Sequence, residues 1–176
     1  MSMHFEWTLS LRLRSETPQA FLDELRYHLG MSSLAPREPA LRWPYPVFGS
    51  GDDPDSVPGG PVRRLVRQEL GAVSWAWGLL ARVVLPDDEM FEVMQVVPPW
   101  LAPWSLTDGW IGFAREELDL DVWLNFFAAH GHAYIAPPGE TPIPPLRDAP
   151  PFTLTQTTEQ WPPNRRSGWA GRNQPE

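Results

Sequence analysis

The sequence contains no cysteine and no lysine, and each absence excludes a class of chemistry. Without cysteine, the chain has no thiol nucleophile, no disulfide and no cysteine-ligated zinc. Without lysine, it has no Schiff-base lysine and no phosphate-loop lysine, so all fourteen basic side chains are arginine. Isoleucine is also scarce, and this bias is typical of a GC-rich bacterial genome.

Catalytic motifs and long hydrophobic runs are missing as well. The chain has no GxSxG, HExxH, GxGxxG or phosphate-loop pattern. Its first residues alternate polar and apolar side chains without the apolar core of a signal peptide. The central stretch 122–139 is free of Arg, Asp and Glu but contains Asn, His, Gly and Pro, which argues against a membrane span. We therefore expect a bacterial cytoplasmic protein without a cofactor and without a membrane partner.

The net charge of −8 is unevenly placed along the chain. Residues 137–176 hold four arginines and four acids, so the whole negative excess falls in residues 1–136. The average field of such a chain repels polyanions, and we expect no nucleic-acid partner.

Proline and tryptophan are abundant, with twenty-two and ten copies. Residues 31–61 hold seven prolines and residues 137–176 hold ten. We interpret 31–61 as a long proline-rich loop, pinned to the body by Trp43, Tyr45 and Phe48. Residues 137–176 are predicted to form a proline-rich C-terminal arm, in which 151–161 docks as a strand. The single α+β domain then spans 1–136.

Two kinds of periodicity predict the elements of that domain. Residues 5–14 alternate apolar and polar side chains, as a strand with one buried face does. Thr17 and Pro18 are typical of a helix start, and Gly30 of its end. Further strands are predicted at 62–70 and 73–85, and a second helix from Asp87 or Asp88 to the Pro98-Pro99 pair, where it ends or kinks.

The stretch 109–136 predicts three strands in a meander. The strands are 109–116, 122–129 and 132–136, separated by an acidic turn and by His130-Gly131. Gly accepts positive φ without steric cost and His sometimes adopts it, so the pair suits a tight hairpin turn. A helix from Asp121 to Gly131 is the alternative interpretation. The order β-α-β-β-α-β followed by two strands predicts an α+β, ferredoxin-like fold extended by a C-terminal β-meander, with long proline-rich arms.

Metal binding and catalysis have little support in this pattern. His130 and His132 are close in sequence to several acids, but the meander places the two turns at opposite ends of one strand. Adjacent acids at 87–89 fit a helix start. We therefore predict no metal site and no catalytic residue.

Tryptophans supply the candidate binding residues. Trp75, Trp77, Trp110 and Trp123 are interpreted mainly as core, with Trp123 and Phe127 on one face of their strand. In 161–169 two arginines stand between two tryptophans, and these residue types dominate protein interfaces. The predicted binding residues are Trp161, Arg165, Arg166 and Trp169.

A non-enzymatic protein-interaction module, similar in class to immunity or adaptor proteins, is the function that the sequence favours. Its partner would be another protein or a second copy of itself. A small-molecule-binding protein or enzyme, with an aromatic pocket between sheet and helices, is the alternative.

Overall fold

The computed structural model describes residues 4–49, 58–117, 119 and 121–140, which form an α+β fold. Its six strands make one antiparallel sheet in the order β2-β3-β1-β4-β5-β6. The strands are β1 His4–Leu13, β2 Val62–Glu69, β3 Trp75–Pro86, β4 Gly109–Glu116, β5 Leu124–Ala129 and β6 His132–Ala136. The helices are α1 Gln19–His28 and α2 Asp87–Leu101, and a short 3-10 turn, Ala102–Trp104, follows α2. No helix in these described residues is long and apolar enough to cross a membrane.

β1 is the strand around which the core is built. Its neighbours are β3 on one side and β4 on the other. The odd-numbered side chains of β1 are buried in one hydrophobic cluster together with residues from both helices, because alternate residues of a strand point to the same face. The β1 members of this cluster are Phe5, Trp7, Leu9, Leu11 and Leu13. Both helices therefore cover the same face of the sheet.

The start of α1 differs from the prediction, whereas Gly30 follows its end with φ 68° and α2 begins at Asp87 as predicted. Pro18 occupies the N-cap position of α1 without a side-chain cap, and the Thr17 hydroxyl instead donates to the Arg14 carbonyl at 2.7 Å. The predicted Thr17 cap is therefore wrong. α2 contains Pro98 and Pro99 and continues to Leu101.

The strand interpretation of the meander is confirmed. β4 and β6 have the predicted bounds, and β5 begins two residues later than predicted, at Leu124. His130 has φ 51° and Gly131 has φ 81°, so both residues of the turn adopt the positive φ that a tight hairpin needs.

The segment before β2 packs against the helical side. Leu41, Val47 and Phe48 are buried, and Trp43 packs against the core. The buried Glu24 carboxylate of α1 accepts hydrogen bonds from the backbone N–H groups of residues 40 and 41, at 3.1 and 2.6 Å. This helix side chain thereby anchors a segment without regular structure.

Two predictions about tryptophans are wrong, namely that Trp110 belongs to the core and that Trp123 shares a face with Phe127. Trp110 is 45% exposed and lies away from the core. Trp123 precedes β5 and stacks on Phe5 with ring centroids 4.8 Å apart, on the helical side, whereas Phe127 lies on the other face. The strict alternation used for 122–129 fails here because Trp123 belongs to the turn.

Candidate functional site

In the part of the chain that the structure describes, helices cover only one face of the sheet. We call the other side the helix-free face, which is formed by the even-numbered residues of β1, β2 and β3 and by alternate residues of β4, β5 and β6. The predicted binding residues Trp161, Arg165, Arg166 and Trp169, and the predicted docked strand 151–161, lie outside the described residues.

A charged cluster on the helix-free face joins β3, β1 and β4. Glu6 of β1 is only 4% exposed. Arg82 of β3 donates from Nε to Glu6 Oε1 at 2.9 Å, and Arg115 of β4 donates from Nε to Oε2 at 2.8 Å. A second bond joins Arg115 Nη2 to the same oxygen, and Arg82 Nη1 also donates to the Pro58 carbonyl at 2.8 Å. Three neighbouring strands are therefore tied together by one carboxylate.

The electrostatics of this cluster favour an ionised Glu6. Burial by itself would raise the pKa of Glu6, but hydrogen bonds from Arg82 and Arg115, together with their positive charges, lower that pKa below its ordinary value. One carboxylate and two guanidinium groups leave the cluster with a net positive charge.

An open groove of about 520 Å³ lies on the same face, lined by residues of β1, β2 and β3 and by Trp110 of β4. The Gln68 side chain lies directly over Gly78, where a Cβ would be only 2.5 Å from it, so the glycine makes room for this amide in the groove. Its polar and aromatic lining comprises Ser10, Arg12, Arg64, Gln68, Thr107 and Trp110. Guanidinium, hydroxyl, amide and indole groups thus converge on one concave surface.

Aromatic side chains occupy the β4–β5 half of the helix-free face. Trp110 Nε1 donates to Asn125 Oδ1 at 3.0 Å, and the Trp110 ring stacks on Phe113 with centroids 6.4 Å apart. The Arg115 guanidinium lies 6.0 Å from the Phe113 ring centroid. These contacts hold the exposed indole in one orientation although it is not buried.

Charge is segregated between the two sides of the molecule. Among the described residues, the helix-free face carries four arginines, Arg12, Arg64, Arg82 and Arg115, and one acid, Glu6. Acids are concentrated elsewhere. The first turn of α2 contains residues 87–89, which are all acidic, and four acids fall in 116–121. The described part of this face is therefore positive although the chain is strongly negative.

A second buried polar pair, Glu24 and His28, lies on the helical side. Burial lowers the pKa of His28 to about 4, and a hydrogen bond with the Tyr45 backbone opposes this only in part. His28 Nε2 is 3.9 Å from Glu24 Oε1, so at neutral pH this is a contact between a carboxylate and a neutral imidazole. His28 O accepts the Phe48 N–H at 2.9 Å. The pair anchors residues 40–48 and lies inside the core.

Acidification is expected to destabilise the fold through His28. An unfolded histidine gains a proton near its ordinary pKa of 6.5, whereas folded His28 stays neutral down to about 4. The neutral His28 therefore contributes stability above pH 6.5 that is lost as the pH falls from 6.5 towards 4. At pH 5 we expect the free energy of unfolding to be lower by about 2 kcal/mol. Urea unfolding of wild type and His28→Gln at pH 7.5 and pH 5 tests this. The pH-dependent loss should be smaller in the variant by that amount, and equal losses would contradict the assignment.

Metal-binding side chains do not gather in the described part of the chain. No group of three or more His, Asp or Glu residues there could hold a metal ion. The residues around His130 and those around the acidic turn occupy opposite ends of β5.

Sequence reasoning missed Glu6, Arg82 and Arg115 as a group. Alternation placed Glu6 on the polar face of its strand and Arg82 on the face opposite the tryptophans of 73–85. The three side chains come together because of the order of the strands. Glu6 lies directly opposite Arg115 of β4 and diagonally opposite Arg82 of β3.

Comparisons with known proteins identify no relative: no family model, no curated protein and no solved structure matches the chain.

Proposed function

We propose that this chain is a non-enzymatic protein-interaction module that binds its partner through the helix-free face. The observation that carries the proposal is a sheet face without helices on which large apolar groups are exposed beside arginines. Trp110 is 45% and Val66 is 46% exposed on this face. Tryptophan and arginine are the residue types most enriched at interface hot spots.

The fixed orientation of Trp110 supports the same proposal. Its hydrogen bond to Asn125 and its stacking on Phe113 hold the ring in place before any partner binds. A side chain that is already ordered loses little conformational freedom on binding, which favours affinity.

The small-molecule alternative has less support. A pocket between the sheet and the helices would need open space there, but that layer holds fully buried side chains such as Trp7, Phe48 and Met94. Close packing of this kind is typical of a protein core.

We also propose that the first six elements form a ferredoxin-like split βαβ unit, in a cytoplasmic protein. Support comes from the antiparallel order β2-β3-β1-β4 and from α1 and α2, which connect β1 to β2 and β3 to β4.

Affinity capture from the native lysate tests the proposed function. Wild-type protein is expected to retain a protein partner in stoichiometric amount. The double variant Val66→Ser/Trp110→Ser should lose that partner, because both substitutions remove exposed apolar surface from the proposed interface. Since neither side chain is buried, the fold should be preserved, which circular dichroism would check.

Leu34→Ser is the matched control. Leu34 is 80% exposed in the segment after α1, away from the sheet face. Its replacement should leave capture unchanged. Equal loss in both variants, or a small molecule retained in place of a protein, would refute the proposal. A self-associating chain, seen by light scattering, would identify the partner as a second copy.

A further inference from the structure

The groove on the helix-free face carries two arginines whose charges no described residue neutralises. Arg12 of β1 and Arg64 of β2 are both exposed and both line the groove. In the described part of the chain neither guanidinium makes an ion pair, whereas Arg82 and Arg115 bind Glu6. Because Arg presents a planar set of donors that matches a carboxylate, the groove has two unused carboxylate-binding groups.

Strand β2 lines one side of this groove with alternating chemistry. Val66 lies between Arg64 and Gln68 on the same face, so a charged, an apolar and an amide side chain follow one another along the strand. Arg12 of β1 lines the opposite side, with β3 between the two strands. An extended peptide that lies over β3 would therefore contact both arginines.

We propose that the groove binds an extended, acidic segment of a partner protein, which lies over β3 between the side chains of β2 and β1 and places carboxylates against Arg12 and Arg64. This inference rests on the proposed function and names the chemistry of its partner. Charge complementarity carries it, since the face is positive on a chain whose net charge is −8. Serine and threonine hydroxyls at Ser10 and Thr107 add donors to the same carboxylates.

A short peptide fits this surface better than a nucleic acid does. A long polyanion would extend beyond the groove and meet the acidic remainder of the molecule, where residues 87–89 and the acids of 116–121 repel it. A peptide strand needs only the local field of the groove.

The test uses full-length protein and a peptide of eight residues, the length of β2, that alternates Glu and Val. In an NMR titration of isotope-labelled protein, the peptide is expected to shift the amides of β2 and of the groove residues of β1 saturably. Arg12→Glu/Arg64→Glu should weaken binding by roughly tenfold or more, since attraction is replaced by repulsion at two sites. Higher ionic strength should weaken binding of the wild type.

Arg37→Glu is the matched control, because Arg37 is exposed in the segment after α1, outside the groove. This substitution changes the net charge of the protein by the same amount as each of the two groove substitutions. It should leave affinity unchanged. Equal binding by a Gln–Val peptide, or unchanged binding in the double variant, would overturn the role of the arginines. Tighter binding of a short oligouridylate to the same amides would favour nucleic acid and overturn the proposal.

Light scattering distinguishes a partner protein from a second copy. A dimer that Arg12→Glu/Arg64→Glu dissociates would mean that the groove binds this chain itself, and would overturn the proposal. The failure of this inference can be distinguished from the failure of the proposed function. Peptide binding without capture of a partner from the lysate would support the inferred groove chemistry and refute the proposed function.

Discussion

Gly112→Ala is expected to lower the free energy of unfolding by about 3 kcal/mol or more. A Cβ built on Gly112 would lie 2.1 Å from the Thr8 carbonyl oxygen and 3.0 Å from Leu9 Cδ2. The first neighbour is backbone and cannot rotate away, so β1 and β4 would have to separate. The register between β4 and β5 shifts between Trp110 and Gly112, so the close approach to β1 lies next to an irregularity in the sheet. Urea unfolding gives the measurement.

Gly71→Ala is the control for this prediction. Gly71 lies in the turn between β2 and β3, and its added Cβ would meet only the Ser74 hydroxyl, at 3.4 Å. We expect Gly71→Ala to change the free energy of unfolding of the protein by no more than about 0.5 kcal/mol. A similar small change at Gly112 would mean that β1 and β4 are not packed as closely as described.

Glu6→Ala is expected to cost about 3 kcal/mol of stability. The substitution removes the single carboxylate that bonds Arg82 and Arg115 and leaves two like charges close together. Each arginine side chain is 24% exposed, so water can solvate the two guanidinium groups in part after the carboxylate is removed. The expected cost is therefore at the lower end of the range for breaking a buried ion pair.

The pH dependence of this loss identifies its cause. Because the pKa of Glu6 is lowered from 4.5 in the folded state, its contribution is present above pH 4.5 and is lost as the pH falls through the folded pKa. The difference between wild type and Glu6→Ala should therefore shrink in acid. Glu69→Ala, which breaks the exposed pair with Arg67, should cost under about 1 kcal/mol. Equal costs for Glu6 and Glu69 would show that the cluster does not stabilise the sheet.

Local sequence patterns determined most of the secondary structure. β1 follows from the alternation that buries Leu9 and exposes Ser10, and the tight turn before β6 follows from His130-Gly131. Both depend on interactions between residues close in sequence, so they can be read without the rest of the chain. The wrong cap at Thr17 shows the limit of this reasoning, because its hydroxyl found an acceptor in the preceding turn.

The candidate site was decided by tertiary structure alone. Glu6 and Arg115 are 109 residues apart in sequence, and only the placement of β1 between β3 and β4 brings the two arginines to one carboxylate. The exposure of Trp110 depends in the same way on which face the helices cover. Alternation in a strand divides side chains between two faces, but the sequence of one strand does not say which neighbours share each face. The sequence therefore determined which residues are strands, and the order of the strands determined that the helix-free face is positive.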